Sequence, residues 1–246
     1  MNIKLSKNIS LYGLKPKVLG IGGSLRNARR GVGNRNLVAD LLSCKNEDEL
    51  RQYLSNQAGQ CSSNFAGSSK AEELGSNDEL EKHRKVNVTQ GLSNSEVALS
   101  SALWSAAEAG CEIEYLSLSE IFPPDKLSWR KDELKSYLRN ADAILVSSPV
   151  YFGDRSSLAQ DMIDLIRNDS QLKAELCNKV YAGIAVGAKR NGGQETTLIY
   201  QLLDMVNLGL LGVGNDAGTT SQYGGTGYAG DIGTMDKDNY GLWTSS

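Results

Sequence analysis

Three short segments of the chain gather residues that could hold a small, charged, partly aromatic molecule. The first is Gly22-Gly23-Ser24-Leu25-Arg26, followed by Gly33-Asn34-Arg35-Asn36 at the mouth of a helix. Glycine backbone, a hydroxyl, a fixed guanidinium and a helix N-terminus together suit one terminal phosphate. An ordinary glycine turn with surface arginines would read the same way. The dinucleotide pattern G-x-G-x-x-G starting at Gly20 fails, because Leu25 stands where its third glycine belongs, and no G-K-[ST] follows for a P-loop. The second segment is Ser147-Ser148-Pro149-Val150-Tyr151-Phe152-Gly153. Its backbone donors beside flat apolar surface suit the edge and face of a planar heteroaromatic ring, although an aromatic pair after a strand also serves plain packing. The third is Lys189-Arg190-Asn191-Gly192-Gly193-Gln194-Glu195, where paired glycines allow close backbone approach and Gln194 and Glu195 open a helix.

What is scarce narrows the chemistry further. His83 is the single histidine and sits among charged residues, so a histidine-based triad or a multi-histidine metal site has little to build on. Cys44, Cys61, Cys111 and Cys177 stand far apart with no C-x-x-C pair, which excludes a zinc knuckle or a closely spaced iron–sulfur cradle. No metal site and no catalytic side chain are expected; the chemistry points to a bound cofactor. A net charge of −3 in 246 residues favours neither nucleic acid nor an anionic membrane. No apolar run approaches the ~18 residues of a membrane span, and Met1–Ser10 lacks a signal-peptide core. Scattered free cysteines then predict a cytoplasmic protein.

The loops need a scaffold that brings them together. Apolar runs at Lys17–Gly22, Ala143–Ser147, Lys179–Val186 and Leu210–Gly214, with alternation at Glu112–Leu118, predict five strands. Helical spacing predicts helices over Asn36–Ser43, Glu96–Gly110, Trp129–Asn140, Ser157–Arg167 and Gly193–Leu208. Alternating strands and helices make an α/β, doubly wound, five-stranded parallel sheet of flavodoxin-like order 2-1-3-4-5 with helices on both faces. All three loops then fall at the carboxyl ends of strands one, three and four. Residues 1–246 read as one domain interrupted by a long polar insertion, 45–95, rich in Ser and Asn and draped on the surface, with Asn77–Lys85 as a short polar helix. The glycine-rich tail, 217–246, offers no helix. One sheet face would therefore stay partly bare, which predicts a homodimer or homotetramer with the Leu158, Met162 and Leu165 stripe as its contact.

The G-S-x-R, S-P-V-Y-F-G and G-G-Q-E-T-T segments, in this order and spacing, resemble the NADPH-dependent FMN reductase family, nearest its iron–sulfur flavoprotein branch. The resemblance implies FMN as cofactor and NAD(P)H as co-substrate. It implies an oxidoreductase that passes reducing equivalents to a small acceptor such as a flavin or quinone; a flavodoxin-type electron carrier is the alternative. By the same resemblance Ser24, Arg26, Asn34 and Asn36 would hold the FMN phosphate. Pro149, Val150, Tyr151, Phe152 and Gly153 would hold the ring, and Asn191, Gly192, Gly193 and Gln194 would close over it. The chain departs from that branch in two places: Asn27–Val32 lengthens the first loop, and Ser117–Trp129 holds none of the branch's clustered cysteines.

Overall fold

A computed structural model describes residues 15–25, 34–72, 91–123, 126–215 and 221–246. Arg26, His83 and the expected helix Asn77–Lys85 lie outside the described residues. Strands β1 (Lys17–Gly22), β2 (Glu112–Ser117), β3 (Ala143–Pro149), β4 (Val180–Gly187) and β5 (Leu211–Gly212) form a parallel sheet in the order 2-1-3-4-5. The register pairs Gly20 with Tyr115 on one side and Leu145 on the other. A further strand, β6 (Gly225–Tyr228), pairs with the second half of β4, Ile184–Gly187, while β5 pairs with its start at Val180–Tyr181.

The apolar strands are sandwiched between two helical layers. One layer holds α4 (Leu118–Ile121), α5 (Lys131–Asn140), α6 (Ser157–Arg167), α7 (Ser170–Glu175) and α8 (Gln194–Asn207). Its cluster joins Leu19, Ile21, Ile144 and Val146 of the sheet to Leu134, Met162, Ile163 and Met205. The other layer holds α1 (Asn34–Ser43), α2 (Glu47–Glu72), α3 (Asn94–Glu108) and α9 (Asn239–Ser245). There Leu99, Leu103 and Leu242 pack with Val18, Tyr115, Ile184 and Val186. Helix α3 lies tight on β1: a Cβ at Gly20 would meet Leu103 Cδ1 at 2.7 Å, so any larger residue would have to displace the buried Leu103 side chain. No helix among the described residues is long and apolar enough to cross a membrane.

Three expectations are corrected. The first part of the stretch 45–95 is not a polar drape: α2 buries Leu50, Leu54, Ala58 and Cys61 within the second layer, and residues 73–90 lie outside the described residues. These positions share one face of an otherwise polar helix. The tail is not without structure either. Asp238 Oδ1 accepts the Gly241 N–H at 3.0 Å and caps α9, which packs on β6 and α3 and buries Leu242. The bare face predicted from sequence is therefore covered from within the chain. Finally, Leu158 and Met162 of α6 are buried against the sheet and Leu165 packs at its margin, so that stripe offers no contact to a second copy.

Candidate functional site

The carboxyl ends of β1, β3 and β4 frame a cleft of about 350 Å³. From β1 comes Ser24, buried after a turn in which the Gly23 N–H donates to the Ser147 carbonyl at 2.8 Å. From β3 come Pro149, Val150 and Tyr151, and from β4 Val186, Gly187 and Ala188. The rest of the wall is supplied by Cys61 of α2, by Ser93, Asn94 and Ser95 where α3 begins, and by Ala229–Ile232 just after β6.

The α3 terminus at the cleft is fully capped. Ser93 is its N-cap in a capping box: its hydroxyl accepts the Glu96 N–H at 3.4 Å, and the Glu96 carboxylate accepts the Ser93 N–H at 2.8 Å. The N–H groups of Asn94 and Ser95 have no acceptor within the helix and carry the positive end of its dipole. Ser147 Oγ donates to the Ser95 carbonyl at 2.7 Å, tying this turn to β3. The Asn94 side chain binds the far wall, donating to the Asp231 carbonyl at 2.9 Å and accepting the Thr234 and Met235 N–H groups. One helix turn thus joins strand ends and tail around a single opening.

The two loops beyond β3 and β4 are braced against each other. Tyr151 and Asp154 exchange backbone hydrogen bonds of 2.8 and 3.0 Å across a two-residue turn, with φ +53° at Phe152 and +82° at Gly153. Both values are those of a left-handed hairpin turn, unusual for phenylalanine. Phe152 projects fully into solvent, while Tyr151 is about one-third exposed at the cleft. Gly193, at φ +99°, backs directly onto Gly153. The Gln194 amide ties the loop to itself and to β6: it accepts the Gly192 N–H at 2.8 Å and donates to the carbonyls of Lys189 at 2.7 Å and, on β6, Gly227 at 3.1 Å. Gln194 therefore shapes the opening from behind, and Asn191 is exposed on the outer loop.

Of the residues singled out from sequence, Ser24, Pro149, Val150 and Tyr151 line the cleft; Phe152, Gly153, Gly192, Gly193 and Gln194 form the two braced loops beside it. The side chains of Arg26, Asn34 and Asn36 lie outside the described residues. Helix α1 packs on the edge strand β2 and on α3, and the first turn of α3 lines the cleft. Sequence reasoning missed Ser93–Ser95 and Ala229–Ile232. The first had a signal, since Ser93-x-x-Glu96 is the capping-box spacing; the second had none in local sequence.

Among the described lining residues only Cys61, Tyr151 and Asp231 can titrate. The arrangement is made to hold a ligand and offers no paired acid and base of its own. Behind the wall, burial first and then the neighbouring Glu96 charge push the Tyr115 phenol well above its usual range, so it remains a donor. No group of three or more potential metal ligands occurs among the described residues.

The chain is 35% identical over 165 residues to an iron–sulfur flavoprotein of Methanocaldococcus jannaschii, covering 62% of this chain and 84% of that protein. It is 30% identical over 129 residues to an NAD(P)H dehydrogenase (quinone) of Rhodopseudomonas palustris, covering 48% and 62% respectively. The solved structure of the Trp repressor binding protein from Bacillus subtilis shares the fold, with a TM-score of 0.50 at 12% identity, over 93% of this chain and 95% of that one. A family model described as NADPH-dependent FMN reductase matches residues 88–219, from just ahead of the α3 cap to beyond β5. With its cleft at the strand ends and this match over more than half its length, the chain belongs to the NADPH-dependent FMN reductase family.

Proposed function

We propose that this NAD(P)H-dependent FMN oxidoreductase holds the FMN phosphate at Ser24 and the first turn of α3, with the ring against Pro149–Tyr151. The single observation that carries the reading is the convergence of a dipole-bearing helix terminus and an apolar strand end in one cleft. The residues fit the group: Ser93, Asn94 and Ser95 offer hydroxyls and backbone donors for an anion. Val150, Val186 and Ala188 with Tyr151 offer apolar surface for a ring. In this reading Ser93–Ser95 add donors to the phosphate residues expected from the sequence, Ser24, Arg26, Asn34 and Asn36.

FMN supplies hydride acceptance and electron release when bound, and the protein supplies position and exclusion of water. The Asn94 bridge to Asp231 and the Gln194 brace hold the walls at fixed separation. The proposed acceptor is a small oxidised molecule, a free flavin or a quinone. This is in keeping with the open edge of the cleft beside Tyr151 and with the quinone dehydrogenase relatives. Two or more copies are proposed to associate through the outward face of α8 and β5, where Tyr200, Leu203, Val206, Leu211 and Val213 are each about half exposed.

The test is direct. Purified protein reconstituted with FMN should show a bound flavin spectrum and oxidise NADH or NADPH with a quinone or riboflavin as acceptor. Failure to retain FMN would refute the site. Retention of FMN with reduction only by another protein would make the chain an electron carrier. Light scattering of the loaded protein reads the association, and a single-chain mass would exclude it.

A further inference from the structure

Directly behind the α3 terminus lies a carboxylate that the chemistry described so far does not use. Glu96 is buried at 1% exposure, and its two oxygens are taken by separate donors. Oε2 accepts the Ser93 N–H at 2.8 Å, and Oε1 accepts the Tyr115 hydroxyl from β2. Among the described residues no ion pair reaches it. Tyr115 is also buried, and the pair fills the space beside the last residue of β1. A Cβ on Gly22 would stand 3.2 Å from the Tyr115 hydroxyl and 3.4 Å from Glu96 Cγ.

The charge on this carboxylate is of the wrong sign to attract a phosphate. A capping box alone does not require the tyrosine, since the cap is satisfied by Ser93 and Glu96. What the tyrosine adds is a link from the edge strand to the helix terminus. Ser93 is thereby fixed from both sides: its backbone by Glu96, and its helix by the Ser147–Ser95 bond from β3.

We propose that Tyr115 and Glu96 are positioning residues for the phosphate end of the cleft, setting the first turn of α3 so that its donors converge with Ser24. The inference rests on the reading of that turn as the phosphate site. Its signature is selective: positioning of a phosphate site affects FMN and leaves riboflavin, which lacks the phosphate, unchanged. Loss of general stability would weaken both ligands together.

The experiment measures FMN and riboflavin affinities by flavin fluorescence titration for the wild-type protein, Tyr115→Phe, Glu96→Gln and Glu96→Asp. Glutamine keeps both contacts, its carbonyl accepting the Ser93 N–H and its amide donating to the tyrosine oxygen, and removes the charge. Aspartate keeps the charge and is too short to reach both donors. Tyr115→Phe and Glu96→Asp are expected to lower the FMN-to-riboflavin affinity ratio roughly tenfold, the scale of one lost buried hydrogen bond. Glu96→Gln is expected to hold the wild-type ratio or exceed it. If Tyr115→Phe does not fold, the two Glu96 variants decide alone. An unchanged ratio in Glu96→Asp, or a ratio that falls in Glu96→Gln, would overturn the positioning role. A wild-type protein that binds FMN and riboflavin equally would instead overturn the phosphate site itself.

Discussion

Replacing Gly193 by alanine tests whether the two braced loops set the cleft. Two separate penalties follow from its position. At φ +99° an L-residue is strained by about 1–2 kcal/mol. The new Cβ would also lie 2.6 Å from Gly153 Cα and 3.3 Å from Val150 Cγ1. The first neighbour is backbone and cannot rotate away, so the loops must part, at about 1–3 kcal/mol for overpacking. Gly153→Ala is the internal control. It carries a similar strain at φ +82°, and no heavy atom lies within 4 Å of its Cβ. Urea unfolding of the flavin-free protein should place Gly193→Ala about 1–3 kcal/mol below Gly153→Ala. Because Val150 lines the cleft, the parted loops should also weaken FMN about tenfold in Gly193→Ala alone, equivalent to ~1.4 kcal/mol. Equal stability and equal FMN affinity in the two variants would refute the reasoning.

Gln194→Ala removes two hydrogen bonds inside the loop and one to β6, and should lower stability by about 2–3 kcal/mol; a thermal or urea midpoint close to wild type would show the loop is held by other means. Phe152→Asn should raise stability by about 0.5–1 kcal/mol, since asparagine tolerates φ +53° better and the exposed ring gives up no burial; a less stable variant would reveal a contact for that ring. The Leu172 N–H, and then Lys135, hold the Asp169 carboxyl below its ordinary value of 3.8. A depressed folded value means the ion pair contributes fully above that value and is lost as pH falls through the depressed one. Asp169→Asn keeps the cap and loses the pair, so wild type should be the more stable near neutral pH and the two thermal midpoints should converge as pH falls well below 3.8; a gap that persists in strong acid contradicts this account.

The strands were legible because burial on both faces demands continuous apolar runs, such as Val18–Ile21 and Ile144–Val146. Their order followed from alternation with helices. The start of α3 was read late, at Glu96, because Ser93–Ser95 belong by composition to the polar stretch before them. Helix α2 was hidden for a related reason. Its buried stripe is one residue wide, and Leu50, Leu54, Ala58 and Cys61 are diluted by polar neighbours. Strand β6 could not be read locally at all, since Gly-Thr-Gly-Tyr has little strand propensity. It forms because the second half of β4 needs a partner and because Gly225 and Gly227 leave room for Ser245 and Met235. The site inherited that difficulty: loops attached to legible strands were found, and the wall attached to β6 was not.

The division of β4 between two neighbours has a consequence for the order in which the protein matures. As the ribosome delivers the chain, β1, β3 and β4 can pair as soon as Gly187 has emerged. The outer half of β4 then waits for Gly225–Tyr228, and the wall at Ala229–Ile232 waits with it. Ser24 at one rim and Asp231 at the other are far apart in sequence, and walls drawn from such distant segments close late because the loop between them must be ordered first. Asn94 finds the Asp231 carbonyl only at that final step. The cleft proposed for the flavin therefore closes only after β6 has emerged, and a nascent chain arrested before β6 would carry most of the sheet without the Ala229–Ile232 wall.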